Sequence, residues 1–124
     1  MGRVIGDADL MAVSIVLTSE EYETMNRYCK KYGCKIGGIV REELRVILGE
    51  MESEFSETGQ MTLKFRPTDR TREKVVGIRL RAVTAKKVQA LSGQLGWPVR
   101  HMVRAMMFER IERIKQEMEY EEDE

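Results

Sequence analysis

The sequence predicts a mainly α-helical protein with one short antiparallel β-ribbon, built from two strand-helix-helix units in a single chain. Three observations lead there. Short alternating apolar stretches occur twice, at Met11–Leu17 and Val75–Arg81. Each is followed by two stretches with helical apolar spacing, separated by a glycine. The two copies align at a constant offset of 63 residues, from Val13 to Val76 onward, without a gap.

Taken in order, residues 1–10 carry no pattern and read as an arm. In Met11–Leu17, Val13, Ile15 and Leu17 share one face, as a half-buried strand requires. Thr18-Ser-Glu-Glu21 has capping-box spacing: the hydroxyl meets the third helical amide and Glu21 reaches back. The helix it opens puts Tyr22, Met25, Tyr28 or Cys29, and Tyr32 on one stripe, and Gly33 stands where a C-cap glycine belongs. A second helix starts at Lys35 or Gly37 and ends at Leu48. It buries Ile36, Ile39, Val40, Leu44, Ile47 and Leu48, and Gly49 closes the unit spanning 11–49. Residues 50–73 read as an acidic, polar linker. Within them Met61–Phe65 alternates as a short extra strand or a packed linker would, until Pro67 interrupts it. The second unit covers 74–115. Its strand is followed by a helix over Val83–Leu95, a glycine at Gly96, and a helix that begins at Pro98, where proline is tolerated, and continues through Ile111 and Ile114. Residues 116–124 are an acidic tail.

The repeat rests on six identities: Val13, Ile15, Leu17, Gly33, Val40 and Arg41 meet Val76, Ile78, Leu80, Gly96, Val103 and Arg104. Apolar character also matches at Met25 with Val88, Tyr28 with Leu91, Ile36 with Val99 and Leu44 with Met107. The repeated stretch of each unit, 13–48 and 76–111, is about 36 residues, shorter than the roughly 40 below which a chain seldom buries enough apolar surface by itself. Its single strand also needs a partner for its backbone groups. Two units must therefore pair into an intertwined dimer or pseudodimer. Pairing inside one chain is favoured because the tether raises effective concentration, and is expected to set Ser14 beside Arg79. Like-with-like pairing between two chains stays open.

Composition narrows the function. The chain of 124 residues is 34% charged and 42% hydrophobic, which suits one small folded domain. No apolar run is long enough for a membrane span, and the N-terminus lacks the basic start and apolar core of a secretion signal. An intracellular protein without a membrane partner is expected. Cys29 and Cys34 read as free thiols, most simply small buried hydrophobes. One histidine is too few for a zinc site, and no catalytic constellation or phosphate loop is present. Neither an enzyme nor a cofactor is expected. The net charge is zero overall, yet the last eight residues hold six acids and no base, so the rest is basic. Lys64–Arg81 alone carries seven bases against two acids, which suits a polyanion binder.

A strand, a capped helix, a glycine and a second helix, with obligate pairing through the strand, resemble the ribbon-helix-helix transcription factors (the MetJ, Arc and CopG group). The resemblance covers about 13–48 and 76–111. The tandem arrangement is similar to TraY-type plasmid proteins and to regulators of archaeal viruses. It implies a cytoplasmic protein of a prokaryotic host cell, of viral or plasmid origin. The implied function is a sequence-specific regulator of transcription, a repressor being the common form, whose ribbon enters the major groove of double-stranded operator DNA. Carried onto this sequence, the outward positions are Ala12, Ser14 and Val16 in one strand and Val75, Gly77 and Arg79 in the other. Arg79, Ser14, Val16 and Gly77 are the expected base contacts. Arg79 leads, since its fork can bond guanine O6 and N7 together, worth roughly 1–3 kcal/mol of discrimination. The family also holds phosphates at the N-terminus of the second helix. There the matching positions are Lys35, Gly37 and Gly38 in one unit and Pro98, Arg100 and His101 in the other. Lys74, Arg72 and Arg81 flank the ribbon as further phosphate contacts.

Two other functions fit the sequence. One is a DNA-processing accessory of the relaxosome kind, which binds near a transfer origin. The other is a dimerisation module for a protein partner, favoured by the apolar Ala12 and Val16 and by the acidic tail.

Overall fold

A computed structural model describes residues 6, 9–60, 62 and 74–122, except for the side chains of 121 and 122. Six elements follow in order: β1 (Leu10–Leu17), α1 (Ser19–Tyr32), α2 (Ile36–Thr58), β2 (Lys74–Arg81), α3 (Ala82–Leu95) and α4 (Val99–Glu122). The protein is mainly helical, with a two-stranded antiparallel sheet formed by β1 and β2 of the same chain. Strand pairing thus takes the intrachain form.

The inward row of the ribbon is Val13, Ile15, Leu17, Ile78 and Leu80, all buried, with Val76 partly so. Each second helix then crosses to the other unit's strand: α4 packs on β1, and α2 packs on β2. This exchange is what intertwines the units. It seals one core in which Met25, Val40, Leu44, Val88, Met102 and Met107 have no exposed surface. At roughly 1.5–3 kcal/mol per fully buried large apolar side chain, neither unit reaches this burial without the other.

The helix starts differ between units. The Thr18 hydroxyl accepts from the Glu21 amide at 3.0 Å, and the Thr18 amide donates to Glu21 Oε1 at 2.8 Å, which completes the capping box. In α3 no side chain caps the start; the Ala82 amide instead donates to the Asp9 carbonyl at 2.6 Å, extending the ribbon ladder. Gly33 and Gly96 end α1 and α3 in the left-handed region, at φ 66° and 71°, which a Cβ disfavours.

Both second helices run further than the sequence suggests. Gly49 does not close α2, which continues to Thr58 and takes its C-cap at Gly59. Met51 extends the buried stripe of Leu44 and Leu48, and Glu52 pairs with Lys87 of α3, so tertiary contacts carry the helix past an unfavourable glycine. Likewise α4 absorbs most of the acidic end. Ile111, Ile114 and Met118 stay buried at helical spacing, and Glu117 accepts a hydrogen bond from the Tyr32 hydroxyl. Of Met61–Phe65, only Thr62 is described; its hydroxyl and amide both bond the Glu54 carboxylate, and the rest of that stretch lies outside the described residues. No helix among the described residues is long and apolar enough to cross a membrane.

Candidate nucleic-acid interface

Cross-strand partners in the ribbon are Leu10 with Arg81, Ala12 with Arg79, Ser14 with Gly77, and Val16 with Val75 on the outward row. Ser14 and Gly77 are equivalent in the repeat, so the pseudo-twofold axis passes between them. This corrects the expected pairing of Ser14 with Arg79. An antiparallel ribbon centred on equivalent residues must set Arg79 opposite the counterpart of Val75, which is Ala12.

The outward row is not uniform. Val75, Gly77, Arg79 and Arg81 of β2 are all exposed. Along β1 exposure falls from Leu10 and Ala12 through half-buried Ser14 to Val16, which is 3% exposed. Val16, expected as a base contact, is therefore withdrawn from the face. At that end Arg104 of α4 donates to the Val16 carbonyl at 3.4 Å and forks onto Glu21. Arg81, read as a flanking phosphate contact, instead shares the outward row with Arg79, two residues along. Lys74 falls on the inward register. Its side chain is exposed at the ribbon end, and its Nζ sits 5.6 Å from the Tyr22 ring centroid, within cation–π range. Arg72 lies outside the described residues.

Beside Arg79 a cleft of about 770 Å³ opens between the ribbon and the start of α2. Ala12, Gly77 and Arg79 line it from the ribbon; Lys35, Gly37, Gly38 and Arg41 line it from the helix. Among the described residues, no acidic one lines it. Lys35 is the N-cap with extended backbone (φ −128°, ψ 151°), no side chain caps the helix, and its first turn holds no acid. Among the described residues, no side-chain cap or first-turn acid compensates the early amides and the positive end of the helix dipole, an arrangement that favours an anion. A Cβ added at Gly38 would meet nothing within 4 Å, and one at Gly37 would make only ordinary contact with Ile78 at 3.8 Å. Close packing therefore does not explain this pair of glycines; an open approach to the backbone does.

The equivalent end of α4 is built otherwise. The Pro98 carbonyl accepts from the His101 and Met102 amides at 3.0 and 2.9 Å, so Pro98 serves as the N-cap and α4 starts one residue later than expected. Arg100 is exposed there and His101 is half-buried, with no acid in the first turn. These two are the counterparts of Gly37 and Gly38, and they do not line the cleft. The described geometry thus gathers Lys35, Gly37, Gly38, Gly77 and Arg79 at one place and leaves Arg100 and His101 at the other helix start.

Compared with protein-family models, curated proteins and solved structures, the chain matches none.

Arg41 is a residue of this surface that sequence reasoning passed over. Its Nε and Nη2 donate to the Arg79 carbonyl at 3.3 and 3.0 Å. The available signal was its identity with Arg104 in the repeat, which marks a role that apolar periodicity cannot report. The cysteines lie near the same corner. The Cys34 amide donates to the Cys29 carbonyl at 3.0 Å in the turn that ends α1, and Cys34 itself is exposed and lines the cleft. Burial, then the neighbouring Cys34, pushes the Cys29 thiol up to about 12.

Proposed function

We propose that this protein binds double-stranded DNA sequence-specifically through its ribbon, as a tandem ribbon-helix-helix regulator of transcription. The observation that carries the reading is the shared face of two elements. Arg79 and Arg81 stand on the outward row, and Arg79 adjoins an uncapped, acid-free helix start with Lys35 at its N-cap. A two-stranded ribbon fits the major groove. A helix start beside it then suits the phosphates at the groove's edge. In this reading Arg79 is the principal reader, Arg81 and Ser14 assist, and Gly77 lets the floor of the groove approach the ribbon. Lys35, Gly37 and Gly38 hold phosphate on one side, and Arg100 and His101 on the other. The reading assigns no catalytic chemistry and no cofactor.

Selection from random genomic fragments at about 0.15 M salt, followed by footprinting, tests it. A preferred site whose recognition loosens at one or two base pairs in Arg79→Ala is the expected result. Uniform retention of all fragments, or none, overturns it.

A second reading has one observation behind it. Leu10 and Val75 are large apolar residues at opposite ends of the outward row, 50% and 64% exposed, and two such side chains on one face could anchor a protein partner. It predicts no salt-dependent DNA retention, so the same selection decides between the two.

A further inference from the structure

Arg41 and Arg104 each send a guanidinium across the boundary between units to a ribbon carbonyl. Arg41 reaches Arg79 in the second unit; Arg104 reaches Val16 in the first. Arg79 and Val16 are themselves equivalent in the repeat, so donors and acceptors obey it together. The Ala82 amide bonds the Asp9 carbonyl opposite it, and alternate cross-strand pairs of an antiparallel ladder exchange such bonds. Arg79 and Val16 therefore fall in the pairs whose carbonyls point away from the partner strand, to the open edges of the ribbon. Edge carbonyls need an outside donor, and the two arginines supply one on each side.

Building on the DNA-binding reading, we infer that Arg41 is the positioning residue of Arg79. It fixes the height and rotation of the reading strand from outside the ribbon, so that the Arg79 side chain leaves the outward row at a set angle. The two sides are not alike. Arg104 is buried and braced by Glu21, whereas Thr84 occupies the place equivalent to Glu21. Arg41 is half-buried and lines the cleft with Lys35, Gly37 and Gly38. Its fork onto one carbonyl leaves further N–H donors on the guanidinium, facing the cleft where the helix start would hold a phosphate. One side chain thereby links grip on the DNA backbone to the placement of the base reader.

The test uses the full chain carrying Arg41→Ala, Arg41→Lys, Arg79→Ala, or Arg41→Ala with Arg79→Ala. Each base pair of the selected site is varied in competition. Arg41→Ala is expected to lower the preference at the base pair read by Arg79 by about 3- to 10-fold, a part of what a full bidentate contact gives. Arg41→Lys, which keeps one donor but not the fork, should recover some of it. The double variant should lose no more preference than Arg79→Ala alone. If Arg41→Ala weakens every sequence equally and its effect adds to that of Arg79→Ala, Arg41 is only a phosphate cation and the inference is overturned. Hydrogen exchange on the free protein provides an arm independent of DNA. Faster exchange at residues 78–81 in Arg41→Ala supports the pinning, and unchanged exchange overturns it. Should the native chain select no site, the DNA reading fails and exchange alone decides whether Arg41 holds the strand.

Discussion

Arg41 and Arg104 occupy the same place in the repeat, and their surroundings give them different weights. Arg104 is 9% exposed and forks onto Glu21, which is 5% exposed and also completes the α1 capping box. Removing one member of a buried pair strands the other charge, which costs about 3–5 kcal/mol. Arg41 has solvent beside it and a neutral carbonyl before it, where the net contribution of a bond is about 0.5–1.5 kcal/mol. Urea unfolding should therefore separate Arg104→Ala from Arg41→Ala by at least about 1.5 kcal/mol. Equal losses would mean that the Glu21 pair does not carry the charge of Arg104. The cysteines give a second contrast. The exposed Cys34 should react with a thiol reagent in the native protein, and Cys29 only after unfolding. Because the folded-state pKa of Cys29 is raised to about 12, against about 8.5 in an unfolded chain, its neutral thiol favours the fold. That contribution is complete below the unfolded value and is lost as pH rises through the folded one. Stability measured from about pH 9 to pH 11 should fall less steeply in Cys29→Ala than in the native chain.

At the scale of elements, glycines separate what is written locally from what is not. Gly33 and Gly96 end helices in the left-handed region, so Gly33→Ala should destabilise by about 1–2 kcal/mol. Gly49 lies inside α2 with nothing within 4 Å of an added Cβ, so Gly49→Ala should stabilise by about 0.5–1 kcal/mol. Thermal melting of the two variants should shift in opposite directions. The same pair explains which elements could be read from residues alone. Strand alternation, the Thr18–Glu21 box and the glycine after each first helix are local signals, and all of them appear in the structure. The end of α2 is not local. Gly49 and an acidic stretch read as a stop, but Met51 and the Lys87–Glu52 pair hold the helix onto α3, contacts made by residues far away in sequence. The acidic end of the chain misled for the same reason, since a charge run reports solvent on one face and hides Met118 on the other. On the candidate site, alternation placed Arg79 outward, but it could not foresee that Val16, on the same outward row, is buried. α4 packs on β1, and no periodicity within a strand encodes a contact of that kind.

At the scale of the molecule, the pairing of β1 with β2 inside one chain makes both halves of the core depend on a unimolecular event. The 14.4 kDa chain should then keep that molar mass in dilute solution. Its melting temperature should stay constant between about 1 and 100 µM, because no bound copy shifts the unfolding equilibrium. The competing arrangement exchanges β2 and its helices between two chains, with the same contacts made twice over. Such a swap doubles the mass and makes the melting temperature rise with concentration. The distinction reaches the proposed recognition. One chain presents an asymmetric outward face, with Arg79 and Arg81 on one side of the Ser14–Gly77 axis and withdrawn Val16 on the other. The preferred site of a single chain should accordingly be strongly selected on one side of its centre and weakly on the other. Moving the arginine to the other side by substituting Val75→Arg and Arg79→Val should move the selected bases to the opposite half if the ribbon alone sets them. If the preference stays in place, Arg79 does not set it; Lys35→Ala, at a phosphate contact, should in either case weaken binding at all sequences while lowering the salt slope by about 0.9.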